Sequence, residues 1–430
     1  LCRYFYEKLK AQQGARAGEQ FIAITDLGTP LEALARAQGF RHRLLNPPDV
    51  GGRFSALSYF GLAPAAATGI DVARLLDRAE AAVQGCASCV PPADNPGVRL
   101  GAALGELALA GRDKVTFLTA PSLAAFGAWA EQLLAESLGK EGKGLVPVDG
   151  EPPGLPSAYG DDRLFVRLRL EGEDDGLDAT AEALAAAGPP LLTLTLRDPY
   201  DLGQEFFRWE MATATAGALL AINPFDEPNV QESKENTARL LAEFERTGRL
   251  PETAPVPKEG GVRVYVDEAA AAGLRRGATG GSLASALEWQ LGRARAGDYL
   301  ALLAYLPRRR EVEEALTRMR TDIRDATRLA TTVGFGPRYL HSTGQLHKGG
   351  PDRGVFVLLT ADDPEELPIP GETYGFRTLK RAQALGDLEA LRRRGRRVVR
   401  LHLGADVLAG LKTLGEALRT ALSAGARKGG

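Results

Sequence analysis

Cysteine is scarce, with three residues in a chain of 430. Three thiols cannot build a disulfide framework, so the expected compartment is the reducing cytoplasm. Net charge is small, at -2, which excludes the basic field that nucleic acid or an anionic membrane surface would select. No apolar run reaches the ~18 residues of a membrane-spanning helix. Residues 1–10 lack the apolar core of a secretory signal. Methionine occurs twice and position 1 is leucine. The run Tyr4-Phe5-Tyr6-Glu7-Lys8-Leu9 is already helical in pattern, which reads as a chain beginning inside a domain. Histidine is confined to His42, His341, His347 and His402, with none between Cys89 and Tyr339.

What remains is an ordinary globular composition, 44% hydrophobic and 25% charged. At roughly 100–200 residues per domain, the length predicts two to four domains. Brief apolar runs alternate with longer amphipathic segments. Strands are expected at 21–25, 43–46, 115–119, 164–170, 191–196, 262–266, 299–305, 355–360 and 398–403. Helices are expected at 30–38, 122–138, 177–187, 202–220, 282–296, 309–327, 378–394 and 407–422. This alternation predicts an α/β protein with parallel sheets and helices on both faces. Stretches rich in proline and glycine at 89–96 and 247–261 suggest boundaries, giving segments 1–95, 96–255 and 256–430.

Three segments carry candidate chemistry. In Asn46-Pro47-Pro48-Asp49-Val50-Gly51-Gly52-Arg53-Phe54-Ser55, Gly51 and Gly52 let the backbone bend and approach a ligand. Arg53 beside them offers a permanently charged planar fork for an anion or a developing oxyanion. The same residues also fit an exposed loop with a solvated arginine. In Gln132-Leu133-Leu134-Ala135-Glu136-Ser137-Leu138-Gly139-Lys140, Gln132 and Glu136 share one helix face near a glycine stop. A carboxylate there could act as a general base if burial raised its pKa, or be a solvated glutamate on a helix end. In Asn223-Pro224-Phe225-Asp226-Glu227-Pro228-Asn229-Val230-Gln231-Glu232-Ser233-Lys234, a proline-marked turn opens a helix with Lys234 in its early turns. The plain alternative is a solvated lysine among Glu232 and Glu235.

In this order the three segments resemble the signatures of the phosphoglucose isomerase family. The likeness is nearest to the isomerase half of bacterial bifunctional transaldolase/phosphoglucose isomerase fusions. The segment Tyr339-Leu340-His341-Ser342-Thr343-Gly344-Gln345-Leu346-His347-Lys348-Gly349-Gly350 extends it. The resemblance implies doubly wound sheets of the sugar-isomerase (SIS) type in three α/β/α layers, with an additional C-terminal α/β domain. The segments 1–95, 96–255 and 256–430 would then be a partial first sugar-isomerase domain, a second one and that extra domain. It implies interconversion of glucose 6-phosphate and fructose 6-phosphate through a cis-enediol, without metal or redox cofactor. Glu136 would be the base, Arg53 would hold the enediolate, Lys234 would assist ring opening and Gln132 would bind substrate beside Gly51 and Gly52. It further implies a cytoplasmic protein, a homodimer and an upstream transaldolase domain. The alternative on the same fold is a non-catalytic phosphosugar-binding module, which would need neither a base nor an oxyanion arginine. In a third reading, 256–430 closes over substrate or binds a partner without chemistry of its own.

Three departures from the family pattern stand out. Its serine/threonine-rich phosphate cradle has no counterpart, so the resemblance implies a fragment that is inactive or very weak alone. Glu227 stands where the family has a phosphate-binding glutamine. The family's catalytic histidine is missing, and His341 or His347, in what reads as an exposed Gly/Ser/Thr loop, is expected to replace it. Other motifs are set aside. Cys86-Ala87-Ser88-Cys89 lacks a second pair for zinc and a preceding strand for redox work. Residues 139–144 lack the Gly-Lys-Ser/Thr of a P-loop. Gly277-Ala278-Thr279-Gly280-Gly281-Ser282 reads as a helix start capped by Ser282. His402 reads as a structural histidine in a strand, and 392–397 as a solvated, arginine-rich helix end.

Overall fold

The computed structural model describes residues 1–256, 258–277 and 282–428. Of the glycine-rich loop before Ser282, positions 278–281 lie outside the described residues, while Ser282 caps the next helix by accepting from the Ser285 amide at 3.1 Å.

The chain forms two compact units. The first comprises Leu1–Ala103, Leu196–Ala216 and Leu367–Phe376, and the second Leu104–Thr195, Gly217–Glu366 and Arg377–Gly430.

In the first unit, β1 (Ile22–Asp26) and β2 (His42–Asn46) pair in parallel. Tyr6, Ala23, Ala35 and Phe40 form a small core, with Phe21 and Phe40 stacked at 4.9 Å between ring centroids. The helices Val72–Gly85 and Leu202–Leu219 touch at Gly203, where a Cβ would stand 2.1 Å from the Leu75 carbonyl oxygen. Cys2, Cys86 and Cys89 are free thiols.

The second unit holds two sheets. The smaller contains β3 (Lys114–Thr119), β4 (Val146–Val148), β5 (Arg163–Leu170) and β6 (Leu191–Leu196) in the order β4-β3-β5-β6. The larger contains β7 (Lys258–Glu259), β8 (Val262–Tyr265), β9 (Tyr299–Tyr305), β10 (Ala330–Phe335), β11 (Gly354–Thr360) and β12 (Arg397–His402). Its order is β10-β9-β11-β12-β8-β7. The first four strands run parallel, and β8 and β7 are antiparallel additions at one edge. The fold is therefore α/β with parallel sheets as expected, corrected at that edge.

The period of two along a strand explains why β9 reads as unbroken apolar sequence. Leu300, Leu302 and Ala304 enter one core with the helices Leu283–Leu291, Arg310–Thr327 and Val407–Lys428. Tyr299, Ala301, Leu303 and Tyr305 enter a second core with the helices Ala124–Leu138, Thr343–Gly349 and Phe376–Arg393. Val146 and Val148 of β4 join that second core.

Three strands escaped the pattern, one of them the two-residue edge strand β7. Val146-Pro147-Val148 contains a proline, tolerated because β4 is an edge strand. Ala330–Phe335 opens Ala-Thr-Thr, and its buried Thr331 hydroxyl donates to Glu151 Oε1 at 2.8 Å. The solvated arginine-rich helix end holds at the exposed Arg393 and Arg394 and is corrected at Arg396 and Arg397. The helix stops at Arg393, Arg396 donates to the Gly350 carbonyl at 2.6 Å, and Arg397 is buried against Asp298.

Candidate functional site

In the second unit the site grows from the end of a buried helix. From Ala130 to Leu138 every residue except Gln132 is buried, as in a helix enclosed by core. Glu136 is 8% exposed, so it is not a solvated surface carboxylate. Gln132 Nε2 donates to Glu136 Oε2 at 3.1 Å, the contact that four-residue spacing allows. The helix stops at Gly139, where a Cβ would lie 2.4 Å from Leu346 Cα and 2.5 Å from the Ala135 carbonyl oxygen. Only glycine permits that approach of the helix Thr343–Gly349.

Lys140 follows, fully buried. Its Nζ donates to the Asn223 carbonyl at 2.8 Å, to Asp226 Oδ1 at 2.6 Å and to the Asp226 carbonyl. The proline turn is thereby pinned to the helix end, leaving Glu227 exposed on it. Buried Gln345 makes a second clamp. Its Nε2 donates to the Gly139 carbonyl at 3.0 Å, and its Oε1 accepts from the Asn229 amide at 2.9 Å. Asn229 is the N-cap of the helix Val230–Thr247, which carries Lys234. One side chain thus holds both the end of the Glu136 helix and the start of the Lys234 helix.

Lys234 and His341 line one cavity of about 270 Å³ with Thr237, Leu340 and Gln383. Desolvation, then the cations of Lys234 and Lys348, hold the His341 imidazole below its ordinary value. Beneath lies a buried polar knot. Asp387 accepts from Lys348 Nζ at 2.9 Å, Tyr339 OH at 2.6 Å and Ser233 Oγ at 3.4 Å. Ser233 is the neighbour of Lys234, so the knot anchors that stretch of helix.

The loop expected at 339–350 is corrected. It is a tight turn, Arg338–His341, followed by the helix Thr343–Gly349, whose residues from Thr343 to Lys348 are buried. His341 is exposed but His347 is not, at 2% exposure. The His347 ring packs among Phe356, Tyr339 and Tyr299 at 5.0, 6.0 and 6.2 Å between centroids. Burial, reinforced by Lys348, pushes its pKa down to about 3. A neutral, enclosed imidazole does not match the exposed replacement histidine expected there.

Glu131 was not singled out from sequence, although a carboxylate inside Trp129-Ala130-Glu131 in an apolar helix is an available signal. Burial first, then neighbouring Asp149, pushes its carboxyl up to about 7, opposed by Arg338, Ser342 and Arg320. Ser342 Oγ donates to it at 3.2 Å. Lys140 and Gln345 were likewise given no role, the second because its segment read as a loop.

In the first unit, Arg53 sits on the tight turn Gly52–Phe54 and is 3% exposed, which removes the solvated-arginine alternative. Its guanidinium stands 5.2 Å from the Phe54 ring centroid. Ser55 Oγ donates to the Gly52 carbonyl at 2.6 Å, closing the turn. Gly51 has φ −64° and ψ 153°, open to any residue. The expected sharp glycine bend is therefore corrected to steric room, since a Cβ on Gly52 would meet nothing within 4 Å.

The class defined so far is an α/β protein with parallel sheets and a buried glutamate paired with a half-buried glutamine at a helix end. The sequence matches no family model. It is 34% identical over 280 residues to a glucose-6-phosphate isomerase of Symbiobacterium thermophilum, covering 56% of this chain and 61% of that protein. A glucose-6-phosphate isomerase of Rubrobacter xylanophilus is 36% identical over 237 residues, covering 44% and 53%. The chain thus spans less than two thirds of these curated relatives. Among solved structures, a hypothetical protein from Thermus thermophilus aligns with TM-score 0.50 at 28% identity, covering 56% of this chain and 67% of that one.

Proposed function

We propose that the chain carries an aldose–ketose isomerase site for glucose 6-phosphate and fructose 6-phosphate, working through a cis-enediol. The observation that carries this reading is the buried Glu136 carboxylate held by Gln132 at 3.1 Å, on a chain similar to proteins named glucose-6-phosphate isomerase. Moving a proton between adjacent carbons needs one carboxylate fixed in a largely dry setting. Glu136 is that base, and Gln132 orients it and contacts substrate. Arg53, with Gly51 and Gly52 leaving room, holds the enediolate charge. Lys234 assists ring opening, and the adjacent, exposed His341 is the histidine that accompanies it. Glu227 has the exposure a substrate contact needs, though its charge opposes a phosphate. An upstream transaldolase domain belongs to the same reading, supported by the motif resemblance of 339–350, as do a homodimer, from the family resemblance, and a cytoplasmic setting, from the scarcity of cysteine.

The test is the interconversion rate in the intact polypeptide, followed in both directions by coupled assay. Glu136→Gln should lower kcat by about 10²–10⁴ with substrate still bound, and Lys234→Ala should depress kcat more with the cyclic than with the open-chain sugar. Turnover within tenfold of wild type in Glu136→Gln would sink the reading.

A further inference from the structure

A cavity of about 650 Å³ in the second unit has neither Glu136 nor Lys234 in its lining. It opens at the carboxyl edge of the larger sheet. Tyr305, Thr360 and His402 end β9, β11 and β12, stand in register across that edge, and all line the cavity. In the order β10-β9-β11-β12, the chain leaves β9 to one side for β10 and returns on the other for β11. The strand order therefore reverses between β9 and β11, where helices diverge and open sheets of this kind form their ligand crevices. The volume falls within the roughly 300–1,000 Å³ usual for small-molecule sites.

The lining decides the ligand class. The cations Arg249, Arg377, Lys380 and Arg381 face the carboxylates Asp362, Asp363 and Glu366. Each carboxylate has a partner: Asp363 with Lys380 at 2.5 Å, Glu366 with Arg377 at 3.2 Å, and Asp362 with Arg263 at 3.7 Å. Glu366 also accepts from the Arg377 amide at 2.9 Å and from Thr378 Oγ1 at 2.7 Å, so that helix start is already filled. Arg381 pairs with Glu252 at 2.6 Å. Arg249 alone of the four cations has no carboxylate partner among the described residues, and it is exposed. His402 adds no charge at neutral pH, because burial holds its imidazole below its ordinary value. The cavity thus has an excess of positive charge, a neutral imidazole and the Thr360 and Thr378 hydroxyls on its wall. That combination suits an anion bearing hydroxyls and disfavours an apolar ligand.

We propose that this crevice is a second ligand site, separate from the isomerase site, for a small polyhydroxylated anion held by Arg249. The anionic group is a phosphomonoester or a carboxylate, and the probes distinguish them. Glucose 6-phosphate, gluconate and neutral glucose are titrated calorimetrically into the intact protein carrying Gln132→Ala, Glu136→Gln, Arg53→Ala and Lys234→Ala, which removes the base and the substrate-holding side chains of the first site. One or both anions should bind with one site per chain, and glucose at least tenfold more weakly. Adding Arg249→Glu should weaken the anion at least tenfold, while Arg249→Lys should stay within threefold. Glucose binding as tightly, unchanged affinity in Arg249→Glu, or no binding of either anion would each overturn the proposal. None of these outcomes touches the isomerase reading, whose residues are disabled throughout.

Discussion

Two lysine–aspartate pairs on one helix invite comparison. Asp387, near the middle of Phe376–Arg393, meets Lys348 at 2.9 Å with both side chains sealed from solvent. Lys380, in its second turn, meets Asp363 at 2.5 Å with about a quarter of each side chain exposed. The shorter pair is the weaker contributor, because water screens it and both partners remain well hydrated when parted. The longer pair has no such retreat. Asp387 also takes the Tyr339 and Ser233 hydroxyls, so the buried pair belongs to a satisfied network. The region under Lys234 is therefore a rigid support, and the crevice rim is an adjustable, hydrated surface. A proton-transfer site needs the first kind of setting, and a site that admits and releases a metabolite tolerates the second.

The largest effect expected from this contrast is chemical. Glu136→Gln retains shape and the Gln132 contact but removes the base, and kcat should fall by about 10²–10⁴. A coupled assay with KM measured alongside is decisive, because loss confined to KM would make Glu136 a binding group.

Next comes the support itself. Lys348→Ala leaves a buried carboxylate without its cation, and urea unfolding should show a loss of about 3–5 kcal/mol. A loss under 1 kcal/mol would erase the distinction between the two regions. Gly139→Ala tests the same rigidity through sterics. Its Cβ meets backbone on two sides at 2.4 and 2.5 Å, so about 1–3 kcal/mol should be lost, with a drop in kcat as the Glu136 helix shifts.

Glu131 supplies a pH-dependent probe of that interior. Its carboxyl sits at about 7 when folded, against 4.5 as its reference value. Below 4.5 both states hold the proton and the group is silent. Between 4.5 and 7 the unfolded chain releases the proton while the folded protein keeps it, so stability falls as pH rises. Above 7 the full cost, on the order of 3 kcal/mol, persists. Glu131→Gln should therefore gain stability over wild type at pH 8 and much less at pH 5, measured by urea midpoints. An equal difference at both pH values would show that the carboxyl does not titrate in this window.

Legibility from sequence followed the same physics. β9, β11 and β12 were readable because burial on both faces makes them continuously apolar. β4 and β10 were not, since Pro147 and the threonines of β10 look like turn chemistry until the edge position and the Glu151 contact are known. Gln132 and Glu136 were readable as a pair through helical spacing, but the burial of Glu136 was not, because helix ends are enclosed by segments distant in sequence, as Leu346 meets Gly139 from two hundred residues away. The segment 339–350 misled most. Its glycines, serine and threonine suggest a loop, yet small residues there serve close packing, and His347 inside it is a core ring.

The smallest expected effect falls on the rim. Lys380→Ala removes an ion pair whose members are 24% and 27% exposed, and unfolding should change by less than about 1 kcal/mol. Because Lys380 also contributes to the charge excess of the crevice, the same variant should weaken binding of a polyhydroxylated anion severalfold while leaving the Glu136-dependent rate intact. Stability and affinity would then separate at this residue, whereas at Lys348 stability and turnover should fall together. If Lys380→Ala destabilised the fold as much as Lys348→Ala, the rim would be structural support, and its openness to a ligand would have to be given up.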